Sequence, residues 1–139
     1  MQFYSPGTIP GSYGANNPWK HAMDDPGASQ LINLKNLMLK YHFESLTPDQ
    51  SLLDEQGERY NHLVALRGNK CVIVYTYNGR AIKLNMSLIP GTQFIFSWYC
   101  PRTGQVIKGN SFRKDKTPEF DPPGLQIDGN DWVLILINN

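Results

Sequence analysis

A chain of 139 residues has room for one domain, or for one small domain with an ordered appendage, and 40% hydrophobic with 12% aromatic content is enough to build a core. Only 18% of residues are charged and the net charge is +1, with acids and bases interspersed apart from the short Arg113–Lys116 cluster, so no basic stripe points to a nucleic-acid partner. The longest apolar run, Trp132–Ile137, is six residues, far short of the roughly 20 that cross a membrane as a helix, so no membrane partner is expected either.

The opening "MQFYSPGTIPG" has no basic n-region and no apolar h-region, so no secretory leader is expected in these residues. Residues 1–26 are rich in Gly, Pro, Ser and Asn and read as irregular loop. In "DPGASQLINLKNLMLKYH", Asp25 suits an N-cap, and Pro26 suits the first helical position because its missing N–H would be unpaired there anyway. Leu31, Leu34, Met38 and Tyr41 recur at helical spacing and Leu37 widens the stripe, which predicts a helix over 27–41. That apolar face must be covered; the expectation is that it folds back on the rest of the chain or pairs with a second copy as a homo-oligomer.

After the polar connector "TPDQSLLDEQGE" the pattern changes to period two and to β-formers. Short strands are predicted in "NHLVALRG", "KCVIVYTYNGRAIKLN", "TQFIFSWYC", "GQVI", "TPEF" and "DWVLILIN". Asn78-Gly79 is a strong hairpin signal, because both central positions of a type I′ turn need positive φ, and Asp128-Gly129-Asn130 reads in the same way as a tight hairpin before the last strand. The fold class is therefore mainly β: an antiparallel, Ig-like β-sandwich preceded by one helix and an irregular segment. The expected division is 1–54 for loop, helix and linker and 55–139 for the sandwich.

In "SWYCPRTGQVI" alternation places Phe94, Phe96, Trp98 and Cys100 on one face and Gln93, Ile95, Ser97 and Tyr99 on the other. Trp98 is then a core residue, as is Trp132. Pro101 fits a type I turn and Gly104 the following position of positive φ. Tyr99 and Arg102 are left unassigned by strand and turn chemistry.

The acids fall almost entirely in turns and polar connectors, where caps and solvation explain them, so no catalytic carboxylate pair is assigned. His21, His42, His62, Cys71 and Cys100 lack metal-ligand spacing, and no phosphate loop or nucleophile elbow is present; no metal or cofactor is expected. Cys71 and Cys100 are compatible with one disulfide or two free thiols. Both lie in apolar strand-like runs, which favours buried free thiols, and no helix N-terminus activates Cys100 as a nucleophile. What remains is aromatic stacking of carbohydrate. The candidates are Tyr13 and Trp19 in the loop zone, Tyr77 and Tyr99 on the sandwich, and Arg102 as a cationic neighbour.

Together, "SWYCPRTGQVI", "EFDPPG" and "DWVLIL" resemble the C-terminal β-sandwich of the apiosidase-like, endoglucanase-related glycoside hydrolases, a domain often labelled a putative collagen-binding domain of a collagenase. "VYTYNGRAIKLNMS" is similar to the preceding hairpin. "SYGANNPWKHAMDDPGASQLINLKNLM" and "PDQSLL" resemble the last segment of that family's (β/α)₈ barrel and the link beyond it. The resemblance implies that the catalytic acids belong to barrel strands outside these residues, so none is carried over. It implies a barrel as partner, and a secreted or periplasmic parent enzyme. The expected role is a non-catalytic accessory domain of a carbohydrate-active enzyme, with weak glycan contact; the alternatives are a purely structural or oligomerisation module and, behind it, an independent hydrolase. Collagen binding comes only with the label.

Overall fold

A computed structural model describes residues 26–138. The first element, α1, runs Pro26–Lys40, so the expected N-cap Asp25 lies outside the described residues. It stops where His42 enters the left-handed region at φ +52°, and Lys40 in its last turn complements the carbonyl end of the helix dipole.

Six strands follow: β1 Thr47–Pro48, β2 Leu63–Arg67, β3 Cys71–Thr76, β4 Gln93–Tyr99, β5 Val106–Arg113 and β6 Trp132–Asn138. They form one antiparallel sheet in the order β1-β2-β3-β6-β4-β5. The mainly β class and the single preceding helix are as expected. The Ig-like pairing of two sheets is not seen among the described residues: the layer facing the sheet is irregular chain, held by isolated bridges Leu53↔Leu84 and Ile82↔Phe120.

The last strand in sequence, β6, is the one inserted at the centre, between β3 and β4. "WVLILI" can sit there because both its faces are covered. Trp132, Leu134 and Leu136 enter one core, and Val133 and Ile135 enter the other. A strand buried on both faces shows no alternation in its sequence.

The larger core lies between the sheet and the irregular layer, where Phe94, Trp98, Val74 and Leu134 meet Leu52, Leu53, Ile82, Leu84, Ile89 and Phe120. Phe94, Phe96, Phe112 and Phe120 pack there with ring centroids 5.4–6.3 Å apart. Leu52 and Leu53 belong to this core although they precede residue 55, and β1 pairs with β2 from within the stretch read as connector. Gln50 extends that edge with its side chain, donating to Leu63 O at 2.8 Å and accepting from Ala65 N at 2.7 Å.

The smaller core lies on the opposite face, under α1. Asn33, Leu37 and Tyr41, four residues apart, share the side facing the sheet. Leu37 and Tyr41 pack with Ile73, Tyr75, Tyr99, Val133 and Ile135. The helix therefore folds back, but around Leu37 rather than along the whole predicted stripe: Leu31 and Leu34 stay 65% and 45% exposed, and Met38 is half-buried.

Asn78-Gly79 does not close a hairpin. Gly79 has φ +71°, but Asn78 is not among the residues of positive φ, so the type I′ conformation is absent. Asn78 is buried; its Oδ1 accepts from Arg80 N at 3.2 Å and its Nδ2 donates to Asn61 Oδ1 at 2.7 Å. The chain turns out of the sheet here and carries Ile82 and Leu84 into the facing layer, while β3 pairs with β2 and β6 instead. The Asp128-Gly129-Asn130 turn forms, with Gly129 at φ +82° and Asn130 N donating to Ile127 O at 3.1 Å. It leads into β6 without making a hairpin.

The Pro101–Gly104 turn does join β4 to β5, with Gly104 at φ +74°. The strand beyond it is longer than "GQVI", because β5 continues to Arg113 past an irregularity opposite Phe96. Gly109 sits at that irregularity. A Cβ there would strike the Phe96 ring, so the absence of a side chain is what lets the ring lie against the strand.

Candidate functional site

Of the carbohydrate-binding candidates, Tyr13 and Trp19 lie outside the described residues. Tyr99 is 7% exposed beneath α1. Its hydroxyl donates to Asn33 O at 2.8 Å, and Asn33 Nδ2 in turn donates to Pro101 O at 3.0 Å. Burial raises the Tyr99 hydroxyl's pKa above the ordinary value. This tyrosine fastens the helix to the β4–β5 turn, and its ring face is covered.

Arg102 projects from that turn onto the start of β6. Its Nε lies 2.9 Å from Asp131 Oδ1, and its Nη2 donates to Asn130 Oδ1 at 3.1 Å and to Asp131 O at 3.3 Å. The guanidinium also lies over the Trp132 ring, 5.8 Å from its centroid. Asp131 Oδ1 is buried without a well-aimed hydrogen bond among the described residues, so the contact with Arg102 is one of charge. Burial raises the Asp131 pKa, and the Arg102 charge opposes that without cancelling it. Tyr75, on the same groove beneath α1, is raised by burial and then by the neighbouring Asp131. Arg102 thus has a structural role that strand and turn patterns did not reveal.

Tyr77 is the described candidate with an accessible ring, 36% exposed, and it does not stand alone. Tyr60, which alternation did not single out, lies beside it with ring centroids 5.5 Å apart and planes tilted by 35°. Tyr60 is 66% exposed. A signal was available: the β2–β3 register pairs Leu63 with Thr76, so continuing it outward brings the residues before Leu63 beside Tyr77 and Asn78.

Tyr60 is presented by the tight turn Arg59–Asn61, in which Arg59 takes φ +50°. Behind the rings is a network of amides and one compensated ion pair. Asn61 Oδ1 accepts from Asn78 Nδ2 at 2.7 Å and from Gln126 Nε2 at 3.4 Å. Arg80 donates to Asn61 O at 3.0 Å and to Glu55 Oε2 at 2.9 Å. Gly57, at φ +76°, admits the Arg80 guanidinium and the Asn61 carbonyl where any side chain would collide with both.

Both cysteines are free. Burial raises the Cys71 thiol's pKa. For Cys100 burial also acts upward, but hydrogen bonds from Thr103 and Arg102 and the Arg102 charge outweigh it, and the net shift is downward. The turn supplies the stabilisation that no helix N-terminus provides, though the sulfur remains buried. Among the described residues no group of three or more His, Cys, Asp or Glu is placed to hold a metal.

The comparisons with known proteins agree with this architecture. A solved chain titled "Glycoside hydrolase" superposes with a TM-score of 0.84 at 36% identity, over 98% of this chain and 31% of that one. The glycoside hydrolase family 5 structure from Bacteroides vulgatus ATCC 8482 gives 0.82 at 36% identity, over 96% and 29%. The chain thus spans about a third of the length of these solved relatives. No curated protein matches it. A family model covers residues 47–137, from the start of β1 to the penultimate residue of β6, and by that match the chain belongs to the family described as "Putative collagen-binding domain of a collagenase".

Proposed function

We propose that this chain is the non-catalytic accessory unit of a glycoside hydrolase, and that it packs on the catalytic barrel through the exposed flank of α1, where Leu31 and Leu34 border the groove over Tyr75, Tyr99 and Val133. The observation that carries this is the helix's two-sidedness. One face is consumed by the sheet through Leu37, while Leu31, Ile32 and Leu34 remain 65%, 59% and 45% exposed. Apolar side chains grouped on one helix are expected to meet a partner. The relatives that share this fold carry it within chains about three times longer, which supplies a partner of the right kind. Self-association through the same leucines is the competing reading.

The test is a chimera in which this chain replaces the matching third of the family 5 relative. A docked unit unfolds with the barrel in one cooperative transition, whereas an undocked one melts separately. Leu31→Asp with Leu34→Asp is expected to split the transition in two. A chimera that shows two independent transitions before any substitution overturns the docking, and concentration-dependent dimers of the isolated chain, abolished by the same pair, favour self-association.

A further inference from the structure

We propose that Tyr60 and Tyr77 form a stacking platform for a neutral hexopyranose unit of a polysaccharide, an inference that rests on the accessory reading above. The two rings are the described aromatic pair that packing does not account for. They belong to neither hydrophobic core, Tyr60 is 66% exposed and Tyr77 36%, and among the described residues neither hydroxyl has a hydrogen-bond partner in the protein. The rings cover part of each other, which holds the pair together, and the surface left over, most of it on Tyr60, is apolar area still open to a ligand.

The chemistry of the ligand follows from what surrounds the rings. An aromatic face carries the negative side of its quadrupole and attracts the weakly positive C–H bonds that a pyranose presents on its flatter side. The tilt of 35° between the rings suits two contacts along a twisted chain better than one flat surface. The adjacent polar groups are the amides of Asn61, Asn78 and Gln126, which pair with hydroxyls without discriminating by charge. Arg80 is neutralised by Glu55 at 2.9 Å, and Arg59, exposed beside Tyr60 in the chain, is offset by its neighbour Glu58, so the local charges sum to zero. A polyanion therefore gains no net attraction here, and a neutral glycan loses none.

The turn that presents Tyr60 is braced by three residues from two segments: Asn61 is held by Asn78 and Arg80 after β3, and by Gln126 before β6. Tyr60 is therefore placed by the folded sheet rather than by its local sequence, and little ordering is left to be done on binding. Weak affinity per platform is expected, since two rings bury little area.

The experiment is affinity electrophoresis of the 139-residue chain in gels containing soluble xyloglucan, hydroxyethylcellulose, arabinogalactan or galactomannan, with polygalacturonate as the charged comparison. Retardation by at least one neutral polymer is expected. It should weaken about tenfold in Tyr60→Ala/Tyr77→Ala, persist in Tyr60→Phe/Tyr77→Phe, and strengthen in Tyr60→Trp, which enlarges the ring face. Leu31→Asp/Leu34→Asp should leave retardation unchanged, so failure of the barrel docking and failure of the platform are read separately. No retardation by any neutral polymer, retardation by polygalacturonate alone, or retardation equal in the alanine pair overturns the platform. So does a chimera whose single transition splits when Tyr60 and Tyr77 are replaced, because the rings would then be an interdomain contact.

Discussion

Two aspartates in this fold respond to pH in opposite directions. Asp49 accepts from Ser51 Oγ and from Arg67 Nε, the latter at 2.7 Å, and these bonds hold its pKa below the ordinary 3.8. Its folded-state value is thus lower than its unfolded one, so it stabilises the fold above the unfolded value and loses that contribution as pH falls through the folded value. For Asp131 burial raises the folded value above 3.8 despite Arg102. Its contribution is present at low pH and is lost as pH rises through the folded value. Urea midpoints measured from about pH 3 to about pH 7 separate the two. Asp49→Asn is expected to fall below the parent at neutral pH, with the gap closing in acid. Asp131→Asn is expected to gain on the parent as pH rises, whatever constant offset the unpaired Arg102 adds. Gly109 offers a test of packing at the same scale. Gly109→Ala sets a methyl group against the Phe96 ring and is expected to cost about 1–3 kcal/mol in the same measurement.

The helix–sheet junction decides how much of the smaller core survives perturbation. Leu37 is the helix residue sealed against Ile73, Val133 and Ile135, so Leu37→Ala is expected to cost about 2–5 kcal/mol. Tyr99→Phe keeps the ring and removes only the bond to Asn33 O, a loss of about 1 kcal/mol. Reversed ranks in chemical denaturation would show that the helix hangs on the polar clip rather than on burial. Sequence reading reached β4, because Phe94, Trp98 and Tyr99 partition between two faces by simple alternation. It misjudged Asn78-Gly79, because a turn signal is local, whereas the pairing beyond it is a competition. "RAIKLN" and "WVLILIN" both offer a partner to β3, and the second is apolar on both faces and takes the central position. Tyr60 was missed for the reverse reason: it lies in a polar connector, and only the β2–β3 register carries it beside Tyr77.

At the scale of the whole molecule, one sheet separates two cores of unequal independence. The larger is closed by chain that follows residue 46, since Leu52, Leu53, Ile82, Leu84, Ile89 and Phe120 supply its far wall. The smaller is closed by α1, through Leu37 and Tyr41, with Leu46 alongside. Removing residues 1–45 therefore leaves the first core intact and uncovers Ile73, Tyr75, Tyr99, Val133 and Ile135 in one contiguous face. Such a shortened chain is expected to keep its β-sheet circular dichroism and a cooperative urea transition. It should also bind a hydrophobic dye and associate in light scattering, because exposed apolar area of that kind drives association. A shortened chain that stays monomeric and dye-silent would mean that α1 is carried by the sheet without being needed by it. The expected result instead makes α1 the cover that this face of the sheet needs. Its inner face completes the sheet, and the flank beside that contact, with Leu31 and Leu34 exposed, is where the catalytic barrel is proposed to sit. Coupling then runs through a single helix: a substitution that loosens Leu37 should also weaken docking at Leu31 and Leu34, and in the chimera Leu37→Ala should lower the barrel's own unfolding temperature although it touches no barrel residue.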